Sequence, residues 1–286
     1  MILVDFSQTC INVLTGVGSN PDNNYYDTAE QLSKHIIFNK LLTYNQTFAH
    51  KYGQMVICLE GKNNWRYGAF PLYKHKRKTS KKESTYIDWN HLYEVMNSVI
   101  IDLKENFPYA LLSMEGCEAD DILATLAKYV REQNVIVSSD KDFNQLLGLS
   151  NVDQYDPRKG VFLKLETTPE NFLLEHILKG DVSDGIPNIL SPDDIFLQEG
   201  VRQKSITSKY KAEFADRLRR GELTEEEIKN FARNDKLINL NSIPKNIKLA
   251  ILELYSNYVI EGDHEKLLNF LIKHQYQGLI EYVNEF

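Results

Sequence analysis

The chain predicts an α/β fold, a central, mostly parallel sheet flanked by helices, followed by a helical C-terminal portion. Three observations carry this. Short β-branched or aromatic apolar runs at 2–4, 54–59, 109–113 and 134–139 are separated by segments of helical periodicity, and such alternation demands parallel strands covered on both faces. Beyond about residue 151 the alternation gives way to two short strand-like pieces and then mostly helical patterns. At 286 residues, 42% hydrophobic and 26% charged, the chain has an ordinary globular composition, long enough for one large domain or one plus an appendage.

Taken in order, ILV at 2–4 is the first strand. It follows the initiator directly, with no basic leader and no apolar run of membrane-spanning length, so a cytoplasmic protein without membrane contact is expected. A helix over 29–52 leads to the strand at 54–59, and a helix over 86–106 leads to the strand at 109–113. CEADDILATL opens a helix running from near 118 to near 131, and the strand at 134–139 is followed by a short helix after Asp142, which suits an N-cap. Strand-like pieces at 151–155 and 161–165 precede helices over 169–179, 201–218 and 224–233, the first closed by Gly180.

Ligands of parallel α/β sheets sit outside the carboxyl ends of the strands. Asp5, Glu60 and Asp140 fall at three of those ends, and Glu118 with Asp120 and Asp121 follows a fourth. Asp142 lies beside Asp140, and Asp181 with Asp184 occupies a loop between Gly180 and Pro187. Acids in first helical turns and near glycine also serve as caps and turn formers, but their number here exceeds that need. Hard oxygen donors in this number suit Mg2+ or Mn2+. Two such ions roughly 3.5–4 Å apart clamp the attacking and leaving oxygens of a phosphodiester. Cys10, Cys58 and Cys117 form no CxxC pair and are expected to be reduced core thiols, and the seven histidines never pair at zinc-ligand spacing.

The formal charge of −7 is not spread evenly. Between Lys62 and Lys82 the chain carries Arg66, Lys74, Lys76, Arg77, Lys78 and Lys81 as well, with no acid, and Trp65, Tyr67 and Tyr73 interleave. That pattern is expected of phosphate contact combined with base stacking. A second basic stretch runs from Arg202 through Lys204 to Arg220, and two bound divalent cations would move the total from −7 to −3.

The ordered motifs VDFS, ICLE, YKHKRK, CEADDILA, SSDKDF and GDVSDGIP resemble the 5′ nuclease family, which includes flap endonucleases, the 5′ exonuclease domain of bacterial DNA polymerase I and bacteriophage RNase H enzymes. The resemblance spans roughly residues 1–245, with the phage RNase H branch most similar in WRYGAF, LINLNSIPKNI and the ending VNEF. It implies that Asp5, Glu60, Glu118, Asp120 and Asp140 hold one catalytic Mg2+. Asp142, Asp181 and Asp184 serve the second ion or its surroundings, and Asp121 is a ligand or stands just behind one. It further implies that Lys74 and Arg77 lie beside the scissile phosphate, that Arg66 holds a phosphate, and that a terminal base stacks on Tyr73. Lys76, Lys78, Lys81, Lys82, Arg202 and Lys204 would contact nucleic acid. Residues 1–180 would be the catalytic part with a basic arch at 62–106, and 181–286 a helical DNA-binding part, helix-hairpin-helix-like around 185–220.

Two departures stand out. Glu60 replaces the family's Asp and is one methylene longer, which shifts a ligand oxygen or inserts a water. After Gly185-Ile186-Pro187 the family's glycine-containing hairpin, which binds a monovalent ion, is replaced by NILSPDDIFLQEGVRQKS. The expected protein is a Mg2+-dependent 5′ to 3′ exonuclease and flap endonuclease, active as a monomer on branched or nicked duplex DNA and RNA/DNA hybrid, with Mn2+ able to substitute. Replication proteins such as a single-strand-binding protein or sliding clamp are the expected partners, and the host cytoplasm the location if a phage encodes it. The rival readings are a PIN-type endoribonuclease and a catalytically impaired structure-specific DNA-binding protein.

Overall fold

The structure, a computed structural model, describes residues 1–17, 25–77 and 88–286. Its sheet has strands β1 (Ile2–Asp5), β2 (Met55–Cys58), β3 (Ala110–Leu112), β4 (Asn134–Val137), β5 (Val152–Asp156) and β6 (Val161–Phe162), in the spatial order β3-β2-β1-β4-β5-β6. All pairings are parallel except β5 with β6. The chain builds outward from β1 to β3 and then crosses back to lay β4 on the other side of β1. This reversal leaves a crevice at the carboxyl ends of β1 and β4. Register puts Asp5 opposite Cys58 and Val4 opposite Val137, so Asp5, Glu60 and Asp140 emerge at one edge.

The described helices are α1 (Phe6–Val17), α2 (Tyr25–Tyr52), α3 (Trp65–Ala69), α4 (Trp89–Asn106), α5 (Ala119–Tyr129), α6 (Pro169–Lys179), α7 (Ser208–Arg220), α8 (Glu225–Ile238), α9 (Lys245–Ser256), α10 (His264–Lys273) and α11 (Gln277–Ile280). β1, β2 and β4 are buried along their whole length, because alternate residues feed two cores. Ile2, Val4, Ile57, Val135 and Val137 meet Phe38 of α2, Val99 of α4 and Phe270 of α10 on one face. Leu3, Val56, Cys58 and Ile136 meet Ile122 of α5 and Ile247 and Ile251 of α9 on the other. The three cysteines are buried free thiols, as expected.

The expected division after residue 180 falls in the turn that ends α6. Up to Ile238 the following chain packs on α3 and α6 through two smaller apolar clusters containing Phe70, Ile177, Ile186 and Leu237, and Leu178, Ile189 and Phe214. From Leu240 onward it returns to both faces of the sheet.

Several expected boundaries move. The helix expected over 201–218 begins only at Ser208, capped by Thr207. The chain before it is spent on Asn188, whose N–H donates to Gln203 Oε1 and whose amide donates to the Lys204 carbonyl. The helix expected over 224–233 runs on to Ile238 behind a Thr224/Glu227 capping box. After β4 the short helix is a 3-10 turn, Lys141–Leu146, capped by Asp140 rather than Asp142. Lys78, Lys81 and Lys82, expected to contact nucleic acid, and the helix start expected at 86 lie outside the described residues. Among the described residues no helix is long and apolar enough to cross a membrane.

Candidate functional site

A cavity of about 310 Å³ opens at the sheet's switch point, lined by Asp5, Glu60, Asp120, Asp140, Asp142, Asp181 and Asp184 and by the cations of Lys74, Arg77 and Lys141. Local folding places these acids. Asp5 ends β1, accepting the Gln8 N–H that opens α1 at 3.0 Å and the Ser138 hydroxyl at 3.0 Å. Glu60 accepts the Ala119 N–H at 3.2 Å, and Asp140 accepts that of Asp142 at 2.9 Å. Asp181 Oδ1 accepts the Ser183 N–H at 2.8 Å, in a turn closed by paired backbone bonds between Asp181 and Ile186. Gly180 (φ 66) permits that turn, since a Cβ there would sit 2.4 Å from the Ile186 carbonyl. Asp120 makes no hydrogen bond or ion pair among the described residues, and burial and neighbouring acids dominate its surroundings, with Lys74 the cation that acts on it.

The electrostatics follow from crowding. Burial, then the neighbouring Asp140, pushes Asp5 up to about 6. Burial and Glu118 push Glu60 up to about 7. Burial and Asp140 push Asp142 up to about 7, and Asp120 rises well above the ordinary carboxylate range for the same reasons. Asp181 is the exception: burial works against its charge, but hydrogen bonds from His176, Lys141 and Ser183 hold it far below the usual range. Seven carboxylates facing three cations leave an excess of negative charge, and Asp142 Oδ1 is buried without a hydrogen-bond partner. These residues fit hard divalent cations.

A folded pKa raised above its unfolded value contributes stability that is complete below the unfolded pKa and lost as pH rises through the folded one. For Asp5, Glu60 and Asp142 that window runs from the ordinary carboxylate values of 3.8–4.5 up to about 6–7. In EDTA the melting temperature is therefore expected to fall between about pH 4 and about pH 7, and Mg2+ at the upper end is expected to restore it. A thermal melt series checks this, and a flat profile with no Mg2+ effect would contradict the crowding.

Behind this lining lies a second layer. Glu118 is the N-cap of α5, in a reciprocal capping box with Asp121. Its carboxylate accepts Lys74 Nζ at 2.5 Å, the Tyr73 hydroxyl at 2.9 Å and Arg66 Nη1 at 3.2 Å. Burial raises its pKa, yet Lys74 and Arg66 pull it below the ordinary value. Two expectations, for Arg66 and Tyr73, are corrected here, and of the two places expected for Asp121 the structure gives the one behind the lining. Asp121 is fully buried and does not line the cavity. Its two oxygens are taken by Arg66 at 2.8 and 3.0 Å, Trp65 Nε1 at 3.1 Å and the Glu118 N–H at 3.0 Å, so it is not a ligand. Arg66, only 3% exposed, spends its remaining Nε on the Leu237 carbonyl at 3.0 Å and cannot reach a phosphate. Tyr73 is 3% exposed, its ring edge-on to Tyr67 and its hydroxyl between Glu118 and Asp184, so no base stacks on it.

Lys74 and Arg77 do reach the cavity. Lys74 adopts φ 53, unusual for a side chain with a Cβ, and its N–H is anchored on the Asp184 carbonyl at 2.7 Å. The loop packs so closely that a Cβ on Gly185 (φ 69) would lie 3.1 Å from the Leu72 carbonyl. Arg77 donates to the Ser183 carbonyl at 3.1 Å and pairs with Asp184. Lys76, Arg202 and Lys204 are exposed outside the cavity, Lys76 lying 4.6 Å from the Phe196 ring centroid. Sequence reasoning missed Lys141, 2.9 Å from Asp181, and His176 of α6, which stands between Asp142 and Asp181. Helical spacing carried no sign of His176, because its partners come from other elements.

Residues 23–173 match the family described as 5′-3′ exonuclease, N-terminal resolvase-like domain, and residues 167–286 match that described as T4 RNase H, C terminal. Ribonuclease H of Enterobacteria phage T4 is 28% identical over 295 residues, covering 99% of this chain and 95% of that protein. DNA polymerase I of Bacillus subtilis is 32% identical over 143 residues, 45% of this chain and 15% of the polymerase. Among solved structures, the flap endonuclease of bacteriophage T5, in a complex with DNA and metal ions, shares the fold with a TM-score of 0.59 at 16% identity, covering 90% of this chain and 99% of that one. The T5 5′-exonuclease with bound zinc gives 0.60 at 17% identity, over 88% and 98%. With more than half of its length inside the first family, and its acids gathered where that fold reverses its strand order, the chain belongs to the 5′-3′ exonuclease family of nucleases, which are hydrolytic phosphodiesterases.

Proposed function

We propose that the protein is a Mg2+-dependent 5′ to 3′ exonuclease and flap endonuclease that removes RNA primers or short 5′ flaps from duplex DNA during replication. The observation that carries this reading is the cavity of crowded carboxylates with Lys74 and Arg77 at its side. Asp5, Glu60, Asp120 and Asp140 would hold one cation, with Glu118, expected as a further ligand, standing behind them because Lys74, Tyr73 and Arg66 occupy its carboxylate; Asp142, Asp181 and Asp184 would serve a second cation or its surroundings, and Mn2+ would substitute. When bound, such ions supply a water of lowered pKa and charge stabilisation at the leaving oxygen. The chain's own contribution is orientation. Lys74 Nζ, fixed by its left-handed backbone and by Glu118, and the Arg77 guanidinium meet the scissile phosphate where negative charge develops. The exposed Lys76, Arg202 and Lys204 would neutralise phosphates of the flanking duplex without reading bases. The DNA and metal ions in the T5 flap endonuclease complex support the substrate class.

The test is cleavage of 5′-labelled flapped, nicked and RNA-primed duplexes with and without Mg2+. Mg2+-dependent release from the 5′ end is expected, and cleavage of free single-stranded RNA alone would overturn the reading. Within that assay Lys74→Ala is expected to lower single-turnover cleavage by about a hundredfold. Its effect on DNA affinity should be within about threefold, since the interaction matters chiefly in the transition state. A loss confined to affinity would remove Lys74 from the reacting phosphate.

A further inference from the structure

His176 is 6% exposed and faces two acids from other elements. Its Nε2 lies 3.2 Å from Asp181 Oδ2, within hydrogen-bond reach, and its Nδ1 lies 3.4 Å from Asp142 Oδ1. This second pair makes no hydrogen bond: both atoms are buried and both lack a hydrogen-bond partner. Asp181 is already engaged by Lys141 and the Ser183 donors, so Nε2 faces an anchored carboxylate. Nδ1 is the ring atom left facing Asp142 Oδ1. Two buried polar atoms 3.4 Å apart, neither with a hydrogen-bond partner among the described residues, form an arrangement that a shared cation would satisfy.

We propose that His176 Nδ1 and Asp142 Oδ1 are ligands of a borderline transition cation of the Zn2+ or Co2+ class, with Asp181 orienting the imidazole. The inference rests on reading the cavity as a divalent-cation site and adds a nitrogen ligand to it. The spacing suits the assignment, since two ligand atoms each about 2.0–2.1 Å from a tetrahedral ion lie about 3.3 Å apart. The hydrogen bond suits it too: a ligating imidazole characteristically donates its other N–H to a carboxylate, which fixes the tautomer and the ring plane. Imidazole nitrogen favours Zn2+ and its neighbours, whereas an all-oxygen set favours Mg2+. This position of the cavity would therefore discriminate between cations that the remaining acids treat alike.

The test uses the full chain labelled with 15N-histidine, titrated with Zn2+ and followed by long-range 1H–15N spectra of the imidazole rings. Isothermal titration with Zn2+ and with Mg2+ is run in parallel on wild type and His176→Gln. One ring nitrogen is expected to shift on Zn2+ addition. His176→Gln is expected to weaken Zn2+ binding by about 10–100-fold, with Mg2+ affinity changed by less than about threefold. Zn2+ binding that leaves every ring nitrogen unmoved, or that His176→Gln does not weaken, overturns the proposal and points to a doubly protonated ring linking two aspartates. If wild type binds neither ion, the reading of the cavity as a cation site fails as well. Should His176→Gln not fold, the wild-type titration decides alone.

Discussion

Asp120→Asn is expected to lower cleavage of a 5′-flapped duplex on the order of a thousandfold, with DNA affinity changed by only a few-fold and the fold more stable in EDTA than wild type. The three parts share one cause. Asp120 lines the cavity but does no structural work among the described residues, with neither a capped N–H nor an ion pair. Burial, then Asp140, Asp5, Glu60 and Glu118 oppose its charge and outweigh Lys74, which favours it. Removing the charge relieves that repulsion, and each kcal/mol gained raises the melting temperature of a chain this size by about 2–4 °C. The same change takes away an oxygen donor, while every cation available to DNA stays in place. Asp5 and Asp140 are less clean positions, because each also caps the element that follows it. Single-turnover rates, a binding titration and melts in EDTA separate the terms. Wild-type turnover, or a lower melting temperature, would show that Asp120 is structural.

What could be read in advance, and what could not, follows from the same distinction. β1, β2 and β4 were legible because strands buried on both faces are written as unbroken apolar runs, and the acids at their ends were legible because a parallel sheet points them to one edge. Capping and site-building looked like alternatives, yet Asp5 and Asp140 do both: one oxygen takes the backbone N–H while the side chain still lines the cavity. Glu118 and Asp121, three apart on α5, could be assigned to one face of a helix but not to what that face meets. α3 covers it, so Arg66 and Trp65 take Asp121 out of the site. Tyr73 read as a stacking ring for want of any sign that its loop folds under the 181–186 turn. The extended chain before Ser208 was hidden because its partner is the side chain of Asn188, a tertiary contact that leaves no periodic trace.

Arg66→Ala is expected to be the most destabilising single change discussed here, costing about 3–5 kcal/mol and lowering the melting temperature by about 10 °C. The guanidinium is buried between Asp121 and Glu118, with side-chain exposures of 4%, 0% and 9%. Its removal strands Asp121 with only Trp65 and the Glu118 N–H as donors, and frees the Leu237 carbonyl that ties α3 to α8. Burial already disfavours the Glu118 charge, and losing Arg66 removes one of the two cations that offset it. Lys74, which leans on Glu118, loses part of its positioning, so cleavage should fall as well. The salt dependence of DNA binding is the discriminating measurement. A residue that contacts phosphate contributes to the slope of log affinity against log salt, by roughly one unit each. Arg66→Ala should leave that slope unchanged despite its lower melting temperature, whereas alanine at the exposed Lys76 or Arg202 should flatten it and leave the melt alone. A flattened slope at unchanged stability for Arg66→Ala would instead mean that the side chain leaves its buried pair and reaches the DNA backbone.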